Sequence, residues 1–261
     1  MRTIALVAQA PGSGRTSLAL ALSLAAARAR VSVMAADLDP ERGLGRRLRD
    51  RFGDPDAPWD VPSFPRGLSI RYPTPESLDT CVAAIHDHGV NDLLILDTVN
   101  GLGSATEEIL AISDLALVPV RGDQAALRAA QATATRMLGL RMDFAFVAVG
   151  ENAARAVPAL KAISRVAGTL SDPQSEEEAD ALLANLRRML SEGPSRPVGE
   201  ICRDRIARRM ARRNERDATL AGKERRARDV DLTTPPGRDA RSRPRPPRRV
   251  AAAIQETIAA R

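Results

Sequence analysis

A glycine-bearing loop at residues 9–17, with the sequence QAPGSGRTS, is the feature that most constrains how this chain folds. The apolar segment before it, residues 4–8, has the length of a β-strand. Residues 18–30 after it are rich in alanine and leucine and contain neither glycine nor proline, which favours a helix. A strand, a glycine loop and a helix in this order are typical of a phosphate-binding loop, because glycine lets the backbone approach a ligand and the helix N-terminus presents free N–H groups to it.

The loop departs from the usual phosphate-binding pattern at one side chain. In such loops the residue after the last glycine is a lysine that reaches the terminal phosphates, and the next hydroxyl binds Mg²⁺. Arg15 and Thr16 stand at these two positions. A guanidinium keeps the positive charge, but it is larger and planar, so it binds phosphate without fitting the position of the lysine. The predicted nucleotide-binding residues are Gly12, Ser13, Gly14, Arg15, Thr16 and Ser17.

Two further apolar runs end in acidic residues. Residues 31–36 are followed by Asp37 and Asp39, and residues 93–96 are followed by Asp97. Because ligands of parallel α/β sheets bind at the carboxyl ends of the strands, we expect these carboxylates to face the same crevice as the loop. For the first pair of acids, an ordinary acidic turn is the alternative.

Residues 4–17, 31–40 and 93–103, taken in order, resemble the ParA/MinD family of deviant P-loop ATPases, most closely the ParA partition branch. The features that carry the resemblance are the strand, glycine loop and helix, the sequence DLDP after the second strand, and the acid-ended strand that corresponds to the Walker B motif. The resemblance implies that ATP and Mg²⁺ are cofactors and that Asp39 is a catalytic residue that orients the attacking water. It also implies that three side chains hold the metal, Thr16, Asp37 and Asp97, the last of them through a bound water.

Two lysines of the family pattern are missing from this chain. Members of the family usually have a lysine where this chain has Ala10, a glycine where it has Pro11, and a second lysine where it has Arg15. Catalysis of phosphoryl transfer depends almost entirely on positioning and on stabilisation of charge. We therefore predict that ATP hydrolysis is very slow or absent.

The rest of the pattern predicts an α/β fold with a mostly parallel sheet and helices on both faces, like that of P-loop NTPases, because strand-length apolar runs alternate with helical segments. We predict further strands at 69–72, 115–120 and 144–149. We predict further helices at 75–88, 105–112, 124–138, 155–167 and 175–190, the last opened by a capping box at 175–178. Residues 41–79 are expected to be the least regular part of the core, with Trp59, Phe64 and Tyr72 pinning this stretch to the core rather than stacking on a ligand.

Charge divides the chain into two parts. We assign residues 1–192 to a ParA-like P-loop ATPase domain and residues 193–261 to a basic tail that is partly helical and largely disordered. Residues 1–195 carry 20 basic and 24 acidic residues, a net charge of −4, whereas residues 196–261 carry 19 and 9, a net charge of +10. The excess of positive charge in the tail indicates an anionic partner.

The tail contains three kinds of segment. Residues 200–228 form a predicted arginine-rich helix, residues 233–249 are rich in proline and arginine and are expected to be extended or disordered, and residues 250–260 form a short predicted helix. We predict non-specific, salt-sensitive binding of DNA phosphates by this tail. A solvated extension without a partner is one alternative, and a membrane-associated helix like that of MinD is another, although three modest apolar residues give such a helix little insertion energy.

The resemblance and the tail together suggest a ParA-like nucleotide-binding protein that acts in plasmid or chromosome partition, or in the positioning of another cargo. It would act as an ATP-dependent homodimer with a ParB-like partner protein. The alternatives are a non-catalytic DNA- or partner-binding module on a P-loop scaffold, and a MinD-like positioning ATPase at the membrane. Without a bilayer-length apolar run or a signal-peptide core, we expect a cytoplasmic protein that does not engage the membrane, with Cys81 and Cys202 reduced.

Overall fold

A computed structural model describes residues 1–9, 11–53, 64–74, 77–89, 91–193 and 197–232. Its strands are β1 (Arg2–Leu6), β2 (Val33–Asp37), β3 (Leu68–Arg71), β4 (Leu93–Asp97), β5 (Leu115–Arg121), β6 (Phe144–Val149) and β7 (Val166–Leu170). Its helices are α1 (Arg15–Arg28), α2 (Gly43–Phe52), α3 (Leu78–His88), α4 (Ser104–Ala111), α5 (Gln124–Gly139), α6 (Ala153–Lys161), α7 (Glu176–Glu192) and α8 (Val198–Leu232).

The strands form one parallel sheet in the order β3-β2-β4-β1-β5-β6-β7. The central strands are apolar along their whole length because helices cover both faces of the sheet, as β4 illustrates. Its residues Leu93 and Ile95 pack into the core formed with α1, α2 and α7, whereas Leu94 and Leu96 pack into a second core on the opposite face, formed with α3, α4, α5 and α6. Both faces are therefore buried, as expected for a parallel sheet, and the predicted α/β fold of the P-loop NTPase type is confirmed.

The region after the DLDP sequence is more regular than predicted. Residues 41–79 are predicted to be the least regular part of the core, and within them α2 occupies Gly43–Phe52. Leu44 and Leu48 are fully buried at helical spacing between exposed arginines, and this pattern identifies an amphipathic helix. Phe64 and Tyr72 are partly buried against the core, as predicted, whereas the corresponding prediction for Trp59 lies outside the described residues.

The prediction of one helix over 155–167 is wrong. Helix α6 ends at Lys161, and β7 follows at Val166–Leu170. Strand β7 contains a glycine and two β-branched residues, which disfavour a helix, and it forms the parallel edge of the sheet beside β6. Pairing with β6 supplies hydrogen bonds that a local pattern does not reveal.

Helix α7 docks on the sheet, as its apolar stripe predicts. Five of its residues are buried: Ala179, Leu182, Leu183, Leu186 and Leu190. The Ser175 hydroxyl accepts a hydrogen bond from the backbone N–H of Glu178, which is half of the predicted capping box. The other half differs, because the Glu178 carboxylate accepts from the backbone N–H groups of Ser171 and Asp172 and so fixes the loop after β7.

The first turns of α8 belong to the core, although the sequence assigns the whole helix to the tail. Val198 and Cys202 are buried in the core that includes α3 and α4. The compact unit to which they belong runs from Met1 to Arg209, and Met210–Arg261 forms a second unit. The division after residue 192 stays a prediction. The predicted segments at 233–249 and 250–260 lie outside the described residues.

No helix in the described part of the chain combines the length and the apolar character needed to cross a membrane.

Candidate functional site

The glycine loop lies between β1 and α1, at the carboxyl edge of the sheet. Gly12 and Gly14 both have left-handed backbone conformations, with φ of 71° and 89°. A Cβ atom at Gly14 would also lie 3.3 Å from Cγ2 of Val149, so this position needs glycine for both conformation and space. Helix α1 begins directly after it, and its free N–H groups point toward the loop.

The Arg15 side chain borders the cavity over the loop and is almost fully buried. Its Nε donates a hydrogen bond to Asp97 Oδ1 at 2.9 Å, and its Nη1 donates to Asn100 Oδ1 at 2.9 Å. The side chains of Arg15 and Asp97 are 5% and 0% exposed. Arg15 therefore forms a buried ion pair with the acid at the end of β4.

Burial dominates the electrostatics of Asp97. Desolvation raises the pKa of this carboxyl to about 6, although the Arg15 guanidinium lowers it. Its second oxygen, Oδ2, is buried and has no hydrogen-bond partner among the described residues. The charge of Asp97 thus depends on Arg15 for its compensation.

Asp37 and Asp39 lie at the end of the neighbouring strand, β2. Asp37 is 2% exposed, and its two oxygens accept hydrogen bonds from the backbone N–H groups of Asp39 and Gly45. Burial raises the pKa of Asp37, and these backbone hydrogen bonds oppose the shift. Asp37 therefore holds the DLDP turn and the start of α2, while Asp39 borders the cavity in front of the loop and accepts the N–H of Glu41.

That cavity has a volume of about 170 Å³ and lies over the loop. Its lining combines all six predicted nucleotide-binding residues with three others: Asp39, Arg47 and Asn100. A second cavity of about 200 Å³ continues from the loop past the ends of β6 and β7 and is lined there by Arg121, Val149, Gly150, Leu170 and Pro173. Together the two spaces offer a polar end over the loop and a more apolar end beside it.

Sequence reasoning missed two arginines at this site. Arg47, on α2, donates to the Ser17 hydroxyl at 2.7 Å, and Arg121, at the end of β5, lies near the Gly12 carbonyl with a donor distance of 3.4 Å. Both side chains are exposed. The helical spacing of Leu44 and Leu48 was the available signal for Arg47, because it predicts an amphipathic helix beside the loop.

The predicted metal ligands do not fit a metal ion as they are arranged here. One oxygen of Asp97 is bound by a guanidinium, and both oxygens of Asp37 accept backbone N–H groups. No cluster of three or more histidine, cysteine or acidic side chains suited to a metal occurs within the described residues. The groups that remain as possible metal ligands are Oδ2 of Asp97, which has no hydrogen-bond partner among the described residues, and the Thr16 hydroxyl. The charge of Asp97 is already neutralised by the Arg15 guanidinium.

The predicted site residues are thus brought together at one edge of the sheet, in the arrangement that the order of β2, β4 and β1 dictates. Arg15, Thr16 and Asp39 line the cavity over the loop, and the buried Asp37 and Asp97 lie side by side at the ends of β2 and β4. Their assigned roles stay predictions. Ala10 lies outside the described residues.

Comparison of the sequence with models of protein families and with curated proteins gives no match. Comparison of the structure with solved structures does give matches. The chain is similar to MinD in the MinC:MinD cell division protein complex of Aquifex aeolicus, with a TM-score of 0.57 and 17% identity over 76% of this chain and 98% of that one. It is also similar to the septum site-determining protein MinD of Pyrococcus horikoshii complexed with Mg-ADP, with a TM-score of 0.55 and 13% identity over 72% and 96% of the two chains.

A plasmid partition protein of Borrelia burgdorferi gives a TM-score of 0.55 and 14% identity over 72% of this chain and 98% of that one. At these identities the likeness concerns the fold. The chain therefore has the P-loop NTPase-like α/β fold that MinD and plasmid partition proteins share.

Proposed function

We propose that this chain is a ParA/MinD-like nucleotide-binding protein that acts in the partition of DNA or the positioning of another cargo, with very slow or no ATP hydrolysis. The observation that carries the proposal is the cavity of about 170 Å³ formed by residues 12–17 at the N-terminus of α1. Left-handed glycines, free helix N–H groups and an exposed arginine converge there on a space suited to phosphates. The neighbouring structures of the same fold include a MinD protein complexed with Mg-ADP.

Slow or absent hydrolysis follows from the positions of the positive charges. The family lysine at position 15 is an arginine whose guanidinium is engaged with Asp97 and Asn100, so it does not neutralise a transferring phosphoryl group. Asp39 borders the cavity and is the candidate for orienting water. The proposal is therefore a protein in which nucleotide binding, rather than turnover, is the working step.

Calorimetric titration of ATP and ADP into the full chain tests the proposal. Wild-type protein should bind at least one of them, and Gly14→Val should abolish binding because a side chain at this position meets Val149 and strains the backbone. Gly139→Ala is the matched control, because a Cβ at Gly139 meets no atom within 4 Å. Failure of wild-type protein to bind either nucleotide would leave the non-catalytic scaffold as the better hypothesis.

A turnover assay tests the second half of the proposal. We expect no ATP hydrolysis above the rate of an Asp39→Ala variant. Ordinary turnover that Asp39→Ala abolishes would contradict slow or absent hydrolysis while leaving nucleotide binding in place.

We infer from the charge of the tail that it binds DNA. Residues 196–261 have a net charge of +10, and Arg208, Arg212 and Arg216 are exposed along α8. Neutralisation of phosphates by such residues releases counterions and gives affinity that falls steeply with salt. Assembly as an ATP-dependent homodimer with a ParB-like partner protein is part of the same proposal, and the MinD neighbour from Aquifex aeolicus is itself found in a complex with MinC.

Sedimentation with DNA and with anionic lipid vesicles, using the full chain and a chain that ends at Arg209, tests this part. We expect the full chain to sediment with DNA in a salt-sensitive manner and the shorter chain to lose this property. Sedimentation with vesicles instead would favour the MinD-like membrane alternative.

A further inference from the structure

We propose that the nucleotide site of this chain works without a metal ion, with Arg15 as the built-in cation at Asp97 and Arg47 as the cation that contacts the phosphates. The inference rests on the proposed function, namely that a nucleotide binds at the glycine loop. It adds which form of the nucleotide binds and which side chain recognises it.

The first step concerns the place that a divalent ion would take. Arg15 Nε lies 2.9 Å from Asp97 Oδ1, and neither side chain is more than 5% exposed, so the two charges compensate each other where water screens them little. A second cation at Asp97 would be repelled by the guanidinium at short range and in a poorly screened environment. Removal of Arg15 from the pair would leave a buried carboxylate without compensation. The arrangement therefore favours the internal cation over Mg²⁺.

The second step concerns the ligands that Mg²⁺ would require. Mg²⁺ demands a nearly octahedral shell of oxygen atoms and usually retains several waters. Asp37, which lies beside Asp97 in the register of β2 and β4, directs both oxygens to backbone N–H groups at 3.1 and 3.0 Å. These hydrogen bonds fix the DLDP turn and the start of α2. Coordination of Mg²⁺ by the Asp37 carboxylate would break these hydrogen bonds.

The third step identifies the cation that faces the phosphates. Two arginines line the cavity: Arg15, which is 5% exposed and paired with Asp97, and Arg47, which is exposed. Its Nη1 donates to the hydroxyl of Ser17, the third residue of α1, at 2.7 Å, so its guanidinium lies against the loop. A planar guanidinium suits two-point binding of phosphate oxygens. Arg121 lies on the other side of the loop, at 3.4 Å from the Gly12 carbonyl.

The same helix provides a matched control. Arg46 is adjacent to Arg47 and is exposed, but it pairs with Glu41 at 3.6 Å and does not line the cavity. Arg46→Ala and Arg47→Ala remove the same charge from the same helix. They differ in whether the lost guanidinium faces the loop.

Calorimetric titration of ATP into wild-type protein, in excess EDTA and in excess Mg²⁺, tests the metal-free site. We expect the Kd in EDTA to equal or fall below the Kd in Mg²⁺, because metal-free ATP carries more negative charge. We expect Arg47→Ala to raise the Kd about tenfold or more in both media, and Arg46→Ala to change it by less than about threefold.

The outcomes separate the inference from the function on which it rests. Binding that requires Mg²⁺ would overturn the metal-free site but would support nucleotide binding at the loop. Equal effects of Arg46→Ala and Arg47→Ala would overturn the role of Arg47. Absence of binding in both media would overturn the proposed function itself.

Discussion

At the scale of single residues, Arg15 connects the glycine loop with the segment that follows β4. Its long, planar side chain reaches both Asp97 and Asn100, two residues that follow one another closely at the end of β4. The loop after β4 is held a second time, because the Gly101 N–H donates to the Ala8 carbonyl at 2.9 Å. The glycine loop and β1 are thus joined to the end of β4 and the segment after it by the Arg15–Asp97 ion pair, the Arg15–Asn100 hydrogen bond and one backbone hydrogen bond.

Removal of the carboxylate should reveal how much this pair contributes. Asp97→Asn leaves the guanidinium of Arg15 buried without a charged partner, so we expect the free energy of unfolding to fall by about 3–5 kcal/mol. Urea unfolding monitored by circular dichroism measures the change. Asp204→Asn, at an exposed position on α8, is the control and should change stability by less than about 0.5 kcal/mol.

Replacement of both partners distinguishes a charge effect from a packing effect. An Arg15→Met/Asp97→Asn variant has no uncompensated charge, so it should recover part of the stability that Asp97→Asn alone loses. A double variant that is less stable than Asp97→Asn would show that the aliphatic packing of Arg15, and not its charge, is what the fold requires.

At the scale of elements, the start of α8 is held to the core by both apolar and charged contacts. Asp79 on α3 is 2% exposed at its side chain and pairs with Arg205 at 3.4 Å and with Arg209 at 3.1 Å. Arg203 pairs with Asp87 at the surface. Several arginines that the sequence assigned to a nucleic-acid-binding helix are therefore used within the protein.

Thiol labelling should report the docking of α8. Burial raises the pKa of the Cys202 thiol to about 12. Only about one Cys202 thiol in 10,000 is therefore ionised at pH 8. We expect iodoacetamide to leave Cys202 unmodified in native protein at this pH, as measured by mass spectrometry of the digested chain. Asp79→Asn should accelerate modification, because it releases two arginines that hold the helix.

Asp87→Asn is the matched control for this measurement. It removes an ion pair whose partners are 51% and 55% exposed, and such pairs contribute little. Rapid labelling of Cys202 in wild-type protein, or equal acceleration by both variants, would contradict the docking of α8 through Asp79.

The N-cap of α7 gives a second prediction at this scale. Ser175→Ala removes the hydroxyl that accepts the Glu178 N–H, so the free energy of unfolding should fall by about 1 kcal/mol. Ser191→Ala, near the other end of α7, removes a hydroxyl that only donates to the Arg188 carbonyl, and it should have a smaller effect in the same unfolding experiment. Equal losses would indicate that Ser175 does not act as a cap.

At the scale of the whole molecule, the compact part of the chain extends beyond the change in composition at residue 193. The unit that contains the sheet ends at Arg209, and Val198 and Cys202 lie in its core. The arginine-rich segment that follows residue 197 thus contains both apolar residues that pack in the core and cations that pair with it, and the division after residue 192 stays a prediction.

Truncation separates the two boundaries. A chain that ends at Arg209 should unfold at the same denaturant midpoint as the full chain when both are measured by urea titration. A chain that ends at Glu192 should lose about 2–4 kcal/mol, because Val198 and Cys202 no longer cover the core. Equal stability of the two shortened chains would support the boundary after residue 192.

Local patterns in the sequence determined the glycine loop, the apolar strands and the acids at their ends, because strand, loop and helix preferences depend on residues that are close in the chain. They were sufficient to predict the α/β fold and to gather the site residues at one edge of the sheet. They failed for β7, since an edge strand is stabilised by the hydrogen bonds it makes to β6, and for α2, whose two buried leucines are surrounded by arginines.

Only the tertiary structure decided what Arg15 does. Its partners, Asp97 and Asn100, lie 82 and 85 residues away, and they reach it because β1 pairs with β4 in a register that sets Leu6 beside Asp97. The position of Arg47 over the loop and the burial of Val198 and Cys202 depend in the same way on elements distant in sequence. The sequence shows which side chains are charged, but the packing of the sheet and its helices decides which groups those side chains contact.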